Sequence, residues 1–318
     1  MEKLKFKNGD GMPVLGLGTW KSSTDEVKMA VKEAVKNGYR HIDCAAIYGN
    51  EPEIGDALAE LFAEGIVKRE DLWITSKLWN DSHLPQNVPG ALAKTLKDLR
   101  LDYLDLYLMH WPVAMKHGVL FPEQASDFIP LEEIPLADTW RAMEKLRAAG
   151  LVRHIGVSNF SIRKLTDLMR DTGIVPEMNQ IELHPHFQQR ELVDFCREHD
   201  IPVTAYSPLG TSKPAPEGHP KVLDDGIVTM IAANHEMTPA QVALAWGMQR
   251  GYAVVPKSVH PERLRSNLAA AEIRLSEDEM AEIAAAETGV RITSGDVWCI
   301  ADSPYTPENL WDEADVRK

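Results

Sequence analysis

Apolar residues fall into two alternating patterns along this chain. Runs of strand length, VLGLG, RHIDC, LWITSK, YLDLYLMH, HIGVSN, EMNQIEL, PVTAYS and AVVPKS, recur from Val14 to Ser258. Each is short and apolar or β-rich enough to be a strand buried on both faces. Between them, apolar positions recur every three to four residues, the spacing of a helix with one buried stripe. Ser23 and Glu26 form a capping-box pair before Val27, Ala30, Val31, Ala34 and Val35, and Gly38 supplies a stop. Thr238, Pro239 and Gln241 open another helix in the same way. PLADTWRAMEKLRAAG and SIRKLTDLMRDTG both run into Gly, predicting glycine-terminated helices. Ahead of the repeat, KLKFKNGDGM reads as a short hairpin around an Asn-Gly-Asp-Gly turn.

Doubly buried strands that each lead into a helix imply a parallel sheet, and eight such units predict a closed (β/α)8 barrel, the TIM-barrel class. A doubly wound open sheet is the alternative. GLGTWK begins like a dinucleotide fingerprint but has Lys21 where a third glycine is required, and no phosphate-cradling P-loop is present. No linker or low-complexity tract divides the repeat, so residues 1–318 are expected to form one domain, with an N-terminal hairpin and a long C-terminal loop. The stretches 113–135, 211–226 and 289–318 read as long loops and are candidates for substrate walls.

Composition narrows the range of functions. The formal charge of −14 disfavours a nucleic-acid or anionic-membrane surface. Cys44, Cys196 and Cys299 are far apart and form no paired framework, which suits a reducing compartment. No signal-like or membrane-spanning apolar stretch is evident, so a soluble cytoplasmic protein is expected. His184 and His186 lack partners at ligand spacing, and no metal site is expected.

Active sites of such barrels gather at the C-terminal strand ends. Here those ends carry Asp43, Lys77, His110, Ser158, Asn159, Gln180, Tyr206, Ser207, Lys257 and Ser258. Taken singly, each reads as a strand-end cap, a packing residue or a solvated charge. Taken together, the segments GLGTW, HIDCAAIYGNE, ITSKLWN, LYLMHWP, IGVSNF, NQIELHP, AYSPLG and VPKSVHPERLRSN resemble the aldo-keto reductases, in family order, over nearly the whole chain up to Asn267. Among these the sequence is most similar to the broad aldehyde reductases.

The resemblance implies a catalytic tetrad of Asp43, Tyr48, Lys77 and His110. Carbonyl reduction leaves negative charge on oxygen, so a proton donor is needed as that charge appears. Tyr48 is the expected donor. Lys77 is expected to lower its pKa, Asp43 to anchor Lys77, and His110 to orient the substrate oxygen. A histidine at position 110 implies ordinary carbonyl reduction, because relatives acting on carbon–carbon double bonds carry glutamate there. The resemblance further implies NADPH/NADP+. Tyr206 would stack on the nicotinamide, Ser158, Asn159 and Gln180 would hold its carboxamide, and Ser207 and Leu209 would complete that rim. Lys257, Ser258 and Arg263 would take the 2′-phosphate, and Asn267 the adenine. Trp20, Trp79 and Trp111 are expected to line an apolar substrate slot, which Trp298 and Cys299 would close. The expected substrate is a small carbonyl compound and the expected state a monomer. The competing reading is a cofactor-binding regulatory protein of the same fold with little turnover.

Overall fold

The structure, a computed structural model, describes residues 2–210 and 220–312. Strands β1 (Lys3–Lys5) and β2 (Gly11–Pro13) pair antiparallel as the expected hairpin. Phe6 and Met12 of this hairpin pack with Trp73, Leu106, Leu108, Met178 and Ala253, so the hairpin plugs the N-terminal mouth of the barrel. His154 bolts it down, its Nε2 lying 2.9 Å from Asp10 and its Nδ1 2.9 Å from Glu177.

The barrel then runs β3 (Leu17–Gly18), α1 (Thr24–Asn37), β4 (His41–Asp43), α2 (Glu51–Ala63), β5 (Trp73–Leu78), α3 (Val88–Leu99) and β6 (Leu104–Met109). A small antiparallel hairpin follows, β7 (Ala114–Met115) with β8 (Phe128–Ile129), before α4 (Leu136–Ala148). The second half runs β9 (Val152–Ser158), α5 (Ile162–Asp171), β10 (Asn179–Glu182), α6 (Arg190–Glu198), β11 (Val203–Tyr206), α7 (Gly226–Asn234), α8 (Pro239–Gln249), β12 (Ala253–Val254) and α9 (Pro261–Ala269). Helices α10 (Glu277–Ala285) and α11 (Pro307–Trp311) complete the described chain.

The barrel sheet has eight strands in the order β12-β11-β10-β9-β6-β5-β4-β3, and the pairings recorded between neighbours are all parallel. Its ends meet through parallel bridges Leu15 to Val254 and Gly18 to Lys257. This closes the barrel as the sequence pattern predicts. At this seam a Cβ on Gly18 would lie 2.6 Å from the Val255 carbonyl oxygen, so the close approach needs glycine. All six residues of β6 are buried. Leu106 and Leu108 belong to the cluster inside the barrel, while Leu104, Tyr107 and Met109 join the larger core beneath the helices.

Local expectations fared unevenly. The Ser23–Glu26 and Thr238–Gln241 capping boxes both form, and Gly38 ends α1 at φ +110°. By contrast α5 stops without a left-handed glycine. Thr172 turns extended and its hydroxyl donates to the Leu168 carbonyl at 2.6 Å, so Gly173 is not the cap. The stretch 113–135 contains β7 and β8, and 289–312 contains α11, so neither is wholly irregular. Part of the loop 211–226, residues 211–219, and the terminal residues 313–318 lie outside the described chain.

Candidate active site

Asp43 is the last residue of β4 and Lys77 the penultimate residue of β5, and their register brings both to the C-terminal rim. Lys77 is fully buried, and its ammonium donates to Asp43 Oδ1 at 2.6 Å, the Cys44 carbonyl at 2.8 Å and the Tyr48 hydroxyl at 3.4 Å. An ammonium without partners could not stay charged there. Burial pulls its pKa down, but Asp43 and the surrounding oxygens outweigh burial and hold it above the ordinary lysine value.

Tyr48 ends a 3-10 turn, Ala46–Tyr48, which Gly49 closes at φ +68°. Its ring centroid is 5.9 Å from that of His110 and 4.8 Å from that of Trp20. Lys77 does lower the phenol pKa, as expected, but burial wins and the group is pushed up to about 12. The expected net lowering is therefore corrected: Tyr48 is a neutral phenol that keeps its proton. His110 follows β6 and is buried, with burial first and then Lys77 holding its pKa well below the usual value, so the imidazole is neutral. Its buried Nδ1 has no partner among the described residues, and its ring meets Trp79 edge-on at 5.1 Å.

The rim residues form one network. Gln180 Nε2 donates to Asp43 Oδ2 at 2.7 Å, so this side chain braces the Asp43–Lys77 pair. Ser158 Oγ donates to the Gln180 carbonyl at 2.7 Å, and Asn159 Nδ2 to the His110 carbonyl at 3.1 Å. Tyr206 Oη donates to Asn159 Oδ1 at 2.7 Å. Asn159 at φ +63° and Ser207 at φ +49° occupy the left-handed region just past β9 and β11, strain of a kind that collects at functional rims. Leu209 is partly buried against the core.

Further along the rim, Lys257 and Arg263 are exposed and make no carboxylate ion pair among the described residues, whereas neighbouring Arg265 pairs with Glu33 at 3.1 Å. Ser258 and Asn267 are buried beside them. His260 gives α9 no side-chain cap and Pro261 has no N–H, so only the N–H groups of Glu262 and Arg263 are without a partner in this turn among the described residues. Two exposed cations, a hydroxyl and a helix start form a donor set suited to a phosphate.

Trp79, Trp111 and Trp298 come together, with ring centroids 5.6 Å apart for Trp79–Trp298 and for Trp111–Trp298, and Cys299 packs against this cluster. Trp20 is not part of this cluster; it stays 46% exposed, against the ring of Tyr48. Two side chains of the terminal segment, Trp311 and Tyr305, complete the wall without any sequence signal that singles them out. Glu182 is another such residue. Burial pushes its carboxyl up, yet His184 and the N–H groups of Ile292 and Thr293, donating at 2.9 and 2.7 Å, hold it below the usual value. It closes β10 two residues before His184, and nothing in the sequence shows that it is buried. Among the described residues no cluster of metal-binding side chains occurs.

The chain as a whole is similar to known proteins. The Aldo/keto reductase family model matches residues 11–288. An aldo/keto reductase of Synechocystis is 52% identical over 317 residues, covering 98% of this chain and 97% of its own. Aldo-keto reductase family 1 member A1 of Bos taurus is 47% identical, covering 89% of this chain and 88% of its own. The solved aldose reductase of Schistosoma japonicum superposes with a TM-score of 0.86 at 45% identity, covering 92% of this chain and 95% of that one. A parallel barrel closed through Gly18 and matches of this length and identity lead to one conclusion: the chain belongs to the aldo/keto reductase family of oxidoreductases, which act on carbonyl compounds.

Proposed function

We propose that the protein reduces aldehydes, and some ketones, to alcohols with NADPH, using Tyr48 as the proton donor. The observation that carries this reading is the contact of the neutral Tyr48 hydroxyl with the Asp43-paired ammonium of Lys77, beside the ring of His110. When bound, NADPH supplies the hydride. The protein side chains do the rest. His110, held neutral, orients the carbonyl oxygen by a hydrogen bond. Tyr48 gives its proton to that oxygen as charge develops, and Lys77 at 3.4 Å stabilises the phenolate left behind. Asp43 and Gln180 keep the ammonium aimed.

Tyr206, Ser158 and Asn159 would hold the nicotinamide end, and Ser207 and Leu209 border the same rim. Gln180, already committed to Asp43 through Nε2, would offer its Oε1 to a carboxamide. Lys257, Ser258 and Arg263 would bind the 2′-phosphate, which supports NADPH over NADH, with Asn267 toward the adenine. The tryptophan wall suits aldehydes with an apolar or aromatic body. A closed sheet has no edge that a second subunit must cover, and the three cysteines are unpaired, which supports a cytoplasmic monomer. Among the described residues no helix is long and apolar enough to cross a membrane.

The test is NADPH oxidation by purified protein against aliphatic, aromatic and sugar aldehydes, with Tyr48→Phe in parallel. Turnover by the parent and a loss of roughly 10² to 10⁴-fold in the variant is the expected result. Equal rates in both would remove Tyr48 from the mechanism. Arg263→Ala should raise KM for NADPH by about 10-fold or more, the scale of one charge-assisted hydrogen bond, and leave KM for NADH nearly unchanged.

A further inference from the structure

Glu51 opens α2 directly behind the Tyr48 turn and is buried. No lysine, arginine or histidine forms an ion pair with it among the described residues. Its Oε1 accepts from Ser76 Oγ at 2.5 Å and its Oε2 from Thr95 Oγ1 at 3.0 Å. Ser76 sits on β5 immediately before Lys77, facing away from the barrel interior into which Lys77 points. Thr95 belongs to α3. On the other side of the same turn, Asn50 Nδ2 donates to the carbonyls of Thr19 at 3.0 Å and Ser22 at 3.1 Å. Thr19 in turn donates through Oγ1 to the Asp43 carbonyl at 2.8 Å. The short turn bearing Tyr48 is thus tied to the strands of both its charged partners.

A carboxyl buried without a cation is costly, and an apolar side chain in that place would be cheaper for stability alone. Burial raises the Glu51 pKa to about 7 against the donations of Ser76 and Thr95. From α3, Asp98 raises it and Lys94 lowers it, while Tyr107 on β6 and Cys44 after β4 both feel its charge. What this cost secures is the link to β5.

We infer that Glu51 is a positioning residue for proton donation, fixing the Tyr48 turn against the strand that carries Lys77. The inference rests on Tyr48 being the donor. Its test uses full-length protein labelled with 13Cζ-tyrosine, in which the resonance missing from Tyr48→Phe belongs to Tyr48 and is read without cofactor. Glu51→Leu is expected to shift that resonance, to lower kcat roughly 10 to 100-fold and to raise the solvent deuterium isotope effect, with KM for NADPH within about 2-fold of the parent. Glu51→Gln keeps polar atoms for both hydroxyls and should restore the resonance and most of kcat. If Glu51→Leu does not fold, Ser76→Ala cuts only the β5 link and should move the resonance and the isotope effect in the same direction. A parental resonance and kcat in Glu51→Leu or Ser76→Ala, or a Gln variant as impaired as the Leu variant, overturns the inference while leaving Tyr48 as donor. Turnover surviving in Tyr48→Phe overturns the donor reading itself, whatever the Glu51 variants do.

Discussion

At the scale of single residues, burial decides more than charge does. Tyr48 lies 3.4 Å from an ammonium and still holds its proton up to about pH 12, because loss of water costs the phenolate more than Lys77 returns. Glu51 follows the same rule. Its folded pKa of about 7 lies above the ordinary 4.5, so the folded protein binds the proton more tightly than the unfolded chain. That contribution is fully present below about pH 4.5 and is lost as pH rises through about 7, a swing of roughly 3 kcal/mol. Glu51→Gln should therefore flatten the pH dependence of Tm between pH 5 and 8, with a Tm above the parent's by a few degrees at the alkaline end. A variant that tracks the parent across this range would show that the carboxyl is not the titrating group. Asp43, Lys77 and His110 were legible because they close successive strand runs, and Tyr48 because a glycine-bounded turn follows the first of them. The net pKa of Tyr48 was not, since sequence shows that a lysine is near but not how little water is.

At the scale of elements, the β/α alternation was readable throughout, because doubly buried strands and striped helices leave different apolar periods. Endings were less so. Gly38 ends α1 with a positive φ, whereas α5 stops at a threonine that bonds its own helix, and only backbone geometry distinguishes the two. The hairpin of β7 and β8 was hidden for a related reason: two residues per strand are too few for a period to register. The seam between β3 and β12 makes a sharper prediction. Gly18→Ala would set a Cβ 2.6 Å from the Val255 carbonyl oxygen, which no flexible side chain can relieve. Opening the seam should cost roughly 1 to 3 kcal/mol, read as a lower urea midpoint. Because Gly18 pairs with Asp43, turnover of the folded fraction should fall as well. An unchanged midpoint would mean that the seam has slack.

At the scale of the whole molecule, two sets of ties hold the terminal segment over the site. Glu182 anchors it from inside the barrel at Ile292 and Thr293. Lys164 on α5 donates to the Asn309 carbonyl at 2.6 Å and to Asp312 at 2.5 Å, and Tyr305 donates to Ile129 of β8 at 2.9 Å. Glu182→Gln should speed amide exchange at Ile292 and Thr293 by about 10-fold or more, the scale of one hydrogen bond to a charged group. KM for bulky aromatic aldehydes should rise while kcat for small aliphatic ones stays near parental. Exchange at the parental rate would rule out Glu182 as the anchor. In the proposed reading the chemistry belongs to the eightfold repeat, and the tryptophan wall is completed by a later segment gripped at a few points. Such a wall is a replaceable part. Exchanging residues 289–312 for the equivalent segment of a related barrel, with Glu182 and Lys164 retained as sockets, should transplant the taste for one aldehyde over another without disturbing proton delivery.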